Sequence, residues 1–170
     1  MDGDKELKMS GKKIKSLSEI AKVKRRLKKE GKTIVFTNGC FDILHRGHIE
    51  CLRKAKSHGN VLIVGLNSDS SVKKIKGDKR PILSQNDRAE ILASLEMVDY
   101  VVIFNEETPH KVIATLVPDV LVKGGDYAKD EIVGKDIVES GGGSVITVKQ
   151  VRGKSTKNIV KTIIDRYGKG

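Results

Sequence analysis

The sequence predicts an α/β protein, built on one doubly wound, Rossmann-like sheet of five parallel strands with helices on both faces. From residue 33 onward, short β-branched runs alternate with helical patterns, as expected for a sheet made of βαβ units. The length of 170 residues suits a single domain. With 38% apolar and 32% charged residues, the chain can bury a core.

The strands and helices are predicted from their spacing. Short Val- and Ile-rich runs predict strands at 33–37, 61–66, 100–104, 120–123 and 144–148. Helices are expected near 47–58, 85–95, 109–116, 130–140 and 156–167, and three glycines at 141–143 stop the fourth of them. Because such sheets bind ligands beyond the carboxyl ends of their strands, the loops after the strands should carry the chemistry.

A further helix is predicted before the first strand. Ser-Leu-Ser-Glu at 16–19 has the pattern of a capping box, and apolar residues at 17, 20, 21 and 27 follow a helical period. We therefore expect residues 1–15 to form a basic tail and 16–170 to form the domain. No internal repeat or Pro-, Gly- or Ser-rich linker divides it.

The positive charge is concentrated at the N-terminus. The net charge is +11, and residues 1–32 contain 12 Lys or Arg against five acids. A basic arm is typical of nucleic-acid binding. The amphipathic spacing favours the solvated face of a helix instead, since no aromatic residue lies among the basic ones to stack on bases. A nucleic-acid module stays as the alternative from another functional class, and we expect neither a nucleic-acid nor a membrane partner.

Composition excludes several other classes. The longest apolar run, 61–66, is six residues long, far short of the roughly 20 that span a bilayer. The charged N-terminus lacks the apolar stretch of a signal peptide, which predicts a cytoplasmic protein. Cys40 and Cys51 form neither a disulfide framework nor a zinc pattern, so both should be reduced thiols.

The loop after the first strand carries the clearest motif, Asn-Gly-Cys-Phe-Asp at 38–42 followed by His-Arg-Gly-His at 45–48. His45 and His48 can face the same way at a helix start, where free N–H groups and the dipole favour an anion. Gly39 and Gly47 allow close approach to a ligand. This arrangement predicts a phosphate site in which bound phosphate raises the pKa of at least one imidazole above about 6.5. No metal ligand is predicted.

Three other loops add candidate groups. Ser155 and Thr156 begin the last helix after two cations, Arg152 and Lys154, which predicts a second anion site. A run of cations follows the second strand, and such a run is usually a solvated face; its members are Lys73, Lys74, Lys76, Lys79 and Arg80. Lys-Gly-Gly-Asp at 123–126 follows the fourth strand, where by itself it would be an ordinary turn.

Together these residues resemble the HxGH nucleotidylyltransferases, which join a nucleoside monophosphate to a phosphorylated small molecule and release pyrophosphate. Further runs at 68–72, 75–77, 80–81, 88–89, 98–102 and 123–127 resemble the branch that adenylylates D-glycero-β-D-manno-heptose 1-phosphate, and the similarity extends over about 16–167. In many members this domain follows a sugar kinase domain, for which this chain has no residues. The resemblance thus implies a stand-alone nucleotidylyltransferase domain at 16–170.

The resemblance also implies roles for individual residues. His45 and His48 would bind the triphosphate and the charge that develops at the α-phosphorus, with Lys76 as the phosphate-contacting lysine and Lys73 in reserve. The nucleotide would be held by residues at two loops and three helix starts: Asn38, Gly39, Cys40, Phe41, Asp42, Gly47, Arg88, Lys123, Gly124, Asp126, Ser155 and Thr156.

Some of these roles have an alternative. Asp42 would orient a His or Lys, or equally cap the coming turn. Arg88 would bind an anion or form a surface salt bridge. Backbone groups around Lys123 would read the base. Lys157 stands where the family has a third hydroxyl residue, which leaves its role open.

The implied reaction is transfer of AMP from ATP to a sugar 1-phosphate, with Mg²⁺ held through the ATP phosphates and water. The product would be ADP-heptose for lipopolysaccharide core assembly. Cytidylyl transfer to glycerol 3-phosphate or a similar molecule is the nearest alternative, because first-principles chemistry does not separate ATP from CTP here. Another alternative is a regulatory protein that binds a nucleotide without catalysing a reaction. The sequence does not specify the oligomeric state; a homodimer is one option.

Overall fold

The order of secondary structure follows a βαβ pattern after one leading helix. The computed structural model describes residues 12–125, 131–149, 151 and 153–168. Its helices and strands are α1 (Leu17–Lys29), β1 (Ile34–Gly39), α2 (Arg46–Lys56), β2 (Val61–Asn67), α3 (Asp69–Lys76), α4 (Gln85–Ala93), β3 (Tyr100–Phe104), α5 (His110–Leu116), β4 (Val120–Gly124), α6 (Lys135–Ser140), β5 (Ser144–Val148) and α7 (Thr156–Tyr167).

The five strands form one sheet in the order β3-β2-β1-β4-β5, and every adjacent pair is parallel. The predicted fold class is therefore confirmed. The chain leaves β1 to build β2 and β3 on one side and returns to build β4 and β5 on the other. This reversal makes the carboxyl end of β1 the switch point at which such sheets open a crevice.

Both faces of the sheet are buried, as a parallel sheet requires. Consecutive residues of β1 point to opposite sides: Val35 packs with Leu52 and Leu92 on one face, and Phe36 packs with Ile20 and Leu116 on the other. Because both faces are covered, only the strand ends are left to present polar groups.

Most elements lie where the sequence predicts them. The strands β3 and β5 and the helix α7 have the predicted bounds, and Ser16 caps α1 in a capping box with Glu19. Helix α6 begins at Lys135 rather than at 130, and residues 126–130 lie outside the described part. Helix α3 was not predicted, because its sequence Asp-Ser-Ser-Val-Lys-Lys-Ile-Lys is polar and buries only Ser71 and Val72.

The described end of the predicted tail lies along the sheet. Ile14 forms a parallel bridge with Val101 of the edge strand β3, and the Lys15 N–H donates to the Val101 carbonyl at 2.9 Å. The Lys13 ammonium donates to the Leu95 carbonyl at 3.2 Å. No helix in the described part of the chain has the length and apolar character needed to cross a membrane.

Candidate active site

A cleft of about 820 Å³ opens at the carboxyl ends of the strands. The loops after β1, β2, β3 and β4 and the start of α7 form its walls. It brings together most of the predicted site residues: Asn38, Gly39, Cys40, Phe41, Asp42, His45, Gly47, His48, Lys76, Lys123, Gly124, Ser155 and Thr156. Arg88 does not line this cleft, and Asp126 lies outside the described residues.

His45 and His48 form a stacked pair in the cleft. Their ring centroids are 3.8 Å apart with an interplanar angle of 25°. His45 is the N-cap of α2, and its Nδ1 accepts from the Gly47 N–H at 3.1 Å. The Nδ1 of His48 accepts from the His45 N–H at 3.4 Å. Because each Nδ1 is an acceptor, a neutral ring carries its proton on Nε2 and can donate it to a ligand.

Both imidazoles favour the neutral form at their places in the cleft. Burial lowers the pKa of His45. Burial also lowers the pKa of His48, and the neighbouring His45 lowers it further, to about 4. The sequence-based expectation of a raised pKa concerned the phosphate-bound state. A bound dianion would act in the opposite direction to burial, since it stabilises the charged ring.

The small residues of the motif make room for its rings. A Cβ on Gly47 would lie 3.0 Å from two atoms of the His45 ring and 3.3 Å from the Lys154 carbonyl oxygen. A Cβ on Gly39 would lie 3.0 Å from the Phe41 ring. Phe41 itself adopts a left-handed φ of 43°, and its ring centroid lies 5.2 Å from that of His48. Gly39 therefore accommodates the Phe41 ring, a role that the motif alone does not indicate.

Asp42 has a different partner from those expected. Its buried carboxylate accepts from the Arg80 guanidinium and, at 2.9 Å, from the backbone N–H groups of Ile82 and Leu83. It neither orients a His or Lys nor caps α2, whose N-cap is His45. Burial pushes the pKa of Asp42 up, but the two N–H groups and Arg80 outweigh it and leave the pKa lowered. The carboxylate thus links the loop before α4 to the loop between β1 and α2, residues 40–45, which we call the histidine loop.

Arg88 also differs from both expected roles. Its side chain is 1% exposed and donates to the carbonyls of Leu83 at 3.0 Å, Cys40 at 2.6 Å and Asn67 at 2.8 Å, and to Asp69 at 2.7 Å. The guanidinium is thus fully buried among protein acceptors and forms an ion pair with the partly exposed Asp69, rather than lying at the surface. It joins the ends of β1 and β2 to α4, so we interpret it as a positioning residue.

The start of α7 lies beside the histidines in the cleft. The Ser155 hydroxyl oxygen accepts from the Asn158 N–H at 3.1 Å, as an N-cap does. That contact uses the oxygen and leaves the hydroxyl proton available to a ligand. Thr156 is buried and lines the cleft. Because the Lys154 carbonyl oxygen lies 3.3 Å from a Cβ built on Gly47, the residues of the second predicted anion site lie next to those of the first.

The cleft is strongly cationic. It is lined by seven basic side chains, namely Lys76, Lys79, Arg80, Lys123, Lys149, Lys154 and Lys157, against three acidic ones, Asp42, Glu107 and Glu131. Counting charges along the sequence indicated only the basic N-terminus. It did not indicate a cationic cleft, because the cations of the cleft are far apart in sequence. Burial lowers the pKa of Lys123, and the charge of Lys76 lowers it further.

The two cysteines are free and lie at the cleft. Burial raises the pKa of both thiols, so they are neutral. A Cβ on Gly124 would lie 3.1 Å from the Cys51 sulfur, which explains the glycine at the end of β4. In the part of the chain that is described, no three His, Cys, Asp or Glu side chains converge to hold a metal ion.

The cleft residues that the sequence did not indicate include two buried polar ones. Thr37 and Asn67 are polar, 2% and 3% exposed, and line the cleft at the ends of β1 and β2. Asn67 directly follows an apolar run, and a polar residue at a strand end is the signal that could have indicated it.

Comparisons with known proteins agree with this geometry. A family model described as "Cytidylyltransferase-like" matches residues 36–165. The chain is 56% identical over 156 residues to the Bifunctional protein HldE of Geobacter metallireducens, covering 92% of this chain and 32% of that protein. It is 59% identical over 150 residues to the HldE of Aliarcobacter butzleri, covering 88% of this chain and 31% of that protein. The chain thus spans about a third of the length of the curated relatives it matches.

Solved structures share the fold. One is a lipopolysaccharide core biosynthesis protein from Thermoplasma volcanium, with 27% identity, a TM-score of 0.59, and coverage of 73% of this chain and 100% of that one. Another is a pantoate-beta-alanine ligase from Francisella tularensis, complexed with beta-gamma ATP and beta-alanine. Its identity is 18% and its TM-score 0.65, with coverage of 86% and 72%, so it indicates the fold alone.

The family match, on a doubly wound parallel sheet with a histidine pair at the start of the first crossover helix, assigns this chain to the nucleotidyltransferase class of enzymes. It belongs to the cytidylyltransferase-like family.

Proposed function

We propose that this chain transfers AMP from ATP to D-glycero-β-D-manno-heptose 1-phosphate, giving ADP-heptose and pyrophosphate, in the cytoplasm. The observation that carries the proposal is the stacked pair His45 and His48, whose Nε2 groups are available at a cationic cleft. The similarity of the 68–77 and 123–127 runs to the heptose branch supports the choice of substrate.

The proposed chemistry is in-line displacement at the α-phosphorus of ATP. An oxygen of the sugar phosphate attacks, and pyrophosphate leaves from the opposite side. Since a phosphate dianion is already a competent nucleophile, the protein needs only to align two polyanions and to stabilise the charge of the transition state. His45 and His48 donate from Nε2 to the phosphate that reacts, and Lys76 neutralises phosphate charge.

The leaving group has a proposed site of its own. The hydroxyls of Ser155 and Thr156 and the free N–H groups at the start of α7 would hold the distal phosphates. The Lys157 ammonium lines the same part of the cleft and supplies a charge where the third hydroxyl of the family would stand. Backbone groups around Asn38, Cys40 and Gly124 would contact the nucleoside.

Mg²⁺ would enter with the nucleotide. The ion would be held mainly by phosphate oxygens and water, with no protein side chain proposed as its ligand. When bound, the ion would neutralise charge on the polyphosphate.

A substrate panel tests this proposal. Purified protein is given Mg²⁺ with ATP or CTP and with heptose 1-phosphate or glycerol 3-phosphate, and pyrophosphate release is measured. We expect release with ATP and heptose 1-phosphate at least about tenfold faster than with any other pair. Release with CTP alone would move the assignment to a cytidylyltransferase. No release with any pair would contradict the proposed activity.

A further inference from the structure

The side chain of Asn67 is held in one orientation at the end of β2. It is 3% exposed and lines the cleft. Its Nδ2 donates to the Ser71 hydroxyl oxygen at 3.0 Å, and the Ser71 hydroxyl donates to the Glu106 carbonyl at 2.7 Å. Ser71 is fully buried in α3. This relay connects the ends of β2 and β3 through a single hydroxyl group.

The relay determines which amide atom faces the cleft. A serine hydroxyl has one proton, and that of Ser71 is used on Glu106. Toward Asn67 the Ser71 oxygen can only accept, so the amide nitrogen faces Ser71 and Oδ1 faces away from it. No described group donates a hydrogen bond to this Oδ1. Among the described residues, every fully buried side-chain N or O atom has a hydrogen-bond partner. The Oδ1 atom must therefore reach the surface of the cleft.

The position of Asn67 separates it from the polyphosphate site. The sheet order places β2 on one side of β1, and β4 and β5 on the other. Ser155 and Thr156 follow β5. In the in-line reaction proposed above, the leaving pyrophosphate and the attacking oxygen lie on opposite sides of the α-phosphorus. If pyrophosphate leaves toward the start of α7, the acceptor lies on the β2 side, next to Asn67.

The Oδ1 atom of Asn67 is suited to bind a hydroxyl group of a ligand. An amide oxygen is an acceptor only, so it repels phosphate oxygens and requires a donor on the ligand. The neighbouring wall after β3 includes Glu107 and Thr108, whose side chains carry a carboxylate and a hydroxyl group. This half of the cleft thus combines cations for a phosphate, Lys76 and Lys79, with acceptors for hydroxyl groups. A phosphorylated polyhydroxy compound has both.

We propose that Asn67 is a specificity-determining residue, whose Oδ1 accepts a hydrogen bond from a hydroxyl of the phosphorylated sugar acceptor. The inference rests on the proposed function, because it assumes the direction of the in-line attack. An acceptor without the hydroxyl would leave Oδ1 desolvated and unpaired, and the site would reject it on that ground.

Kinetics with modified acceptors test the inference. Heptose 1-phosphate is compared with analogues in which one hydroxyl at a time is replaced by fluorine, which cannot donate. In the wild-type protein one analogue should lose about 10- to 100-fold in kcat/KM. In Asn67→Ala that same analogue and the parent acceptor should differ by less than about threefold, while the KM for ATP stays within about twofold.

Asn105→Ala is the matched control. Asn105 directly follows β3, as Asn67 ends the neighbouring strand β2, but the side chain of Asn105 is exposed and lies outside the cleft, so discrimination should stay at the wild-type value. Equal discrimination in the wild type and in Asn67→Ala would overturn the inference and leave the proposed function intact. Absence of turnover in the wild type with every nucleotide and acceptor would instead overturn the proposed function.

A measurement on the wild type covers the case in which Asn67→Ala does not fold. The side-chain amide resonances of Asn67 are followed by NMR during titration with heptose 1-phosphate, and separately with a non-hydrolysable ATP analogue. The inference predicts a shift with the sugar phosphate and little with the ATP analogue. A shift with the ATP analogue only would contradict it.

Discussion

The imidazole of His48 combines two properties at the residue scale: it is buried enough to be neutral, and it is placed to donate to a ligand. Neutrality follows from burial and from the stacked His45, which together lower the pKa to about 4. The donor position follows from Nδ1, which accepts from the backbone. A phosphate in the cleft would raise the pKa of His48, because it stabilises the protonated ring.

We therefore expect the pKa of His48 to rise when nucleotide binds. NMR titration of the imidazole nitrogens, with and without a non-hydrolysable ATP analogue, measures it directly. Because the complex holds the proton more tightly than the free protein, affinity for the analogue should increase as pH falls through the pKa of the complex toward about 4, the pKa of His48 in the free protein. An unchanged pKa on saturation with the analogue would show that the ring does not contact phosphate.

Sequence reasoning at this scale succeeded where the partners are close along the chain. His45, Gly47 and His48 lie within one helical turn, so their spacing indicated their geometry. It failed for Asp42 and Arg88, whose partners Arg80 and Cys40 are 38 and 48 residues away. Those contacts depend on how the loops meet in the fold, and no local pattern reports that.

Arg88 is the principal connection between elements. From α4 its guanidinium donates hydrogen bonds to carbonyls at the ends of β1 and β2. These bonds hold the backbone at the start of the histidine loop in place. Its loss would leave these buried carbonyls without donors, which is costly because they are shielded from water.

Arg88→Ala should destabilise the fold by about 3 kcal/mol or more and lower Tm by roughly 10 °C. Arg53→Ala, which removes an exposed pair with Glu50, is the control and should change Tm by about 2 °C at most. Thermal unfolding measures both. An unchanged Tm in Arg88→Ala, with a weakened affinity for ATP, would indicate an anion-binding side chain and contradict the positioning role.

The strands were predictable as elements because a strand buried on both faces must be a continuous apolar run. Helix α3 was not, since it carries its lysines on an exposed surface and is stabilised by local contacts such as the Ser68 cap. A short polar helix and a charged loop have similar sequences. The sequence therefore indicated the sheet more reliably than the helix that supplies Lys76.

The distribution of charge over the whole molecule separates two surfaces. Residues 1–32 carry most of the excess charge in sequence, but the cations of the cleft come from five different segments. A concave cationic site suits a compact polyanion such as a triphosphate. Counting charges along the sequence does not detect such a site, because its cations are distant in sequence.

Deletion of residues 1–10 should leave kcat/KM within about twofold of the wild type. The deletion spares Lys13, Ile14 and Lys15, which contact Leu95 and Val101, and none of the motifs lies in the deleted segment. A deletion of residues 1–15 serves for comparison and should lower Tm, since it removes those contacts. A large loss of activity in the shorter deletion would mean that the tail contributes to the site.

The central claim is that His45 and His48 stabilise the reacting phosphate, and His48→Ala tests it most directly. The assay is steady-state pyrophosphate release, with His58→Ala as the control because His58 is exposed at the end of α2. We predict that His48→Ala lowers kcat by about 10²- to 10³-fold without loss of the fold, and that His58→Ala does not. A folded His48→Ala variant with the activity of the wild type would contradict the account.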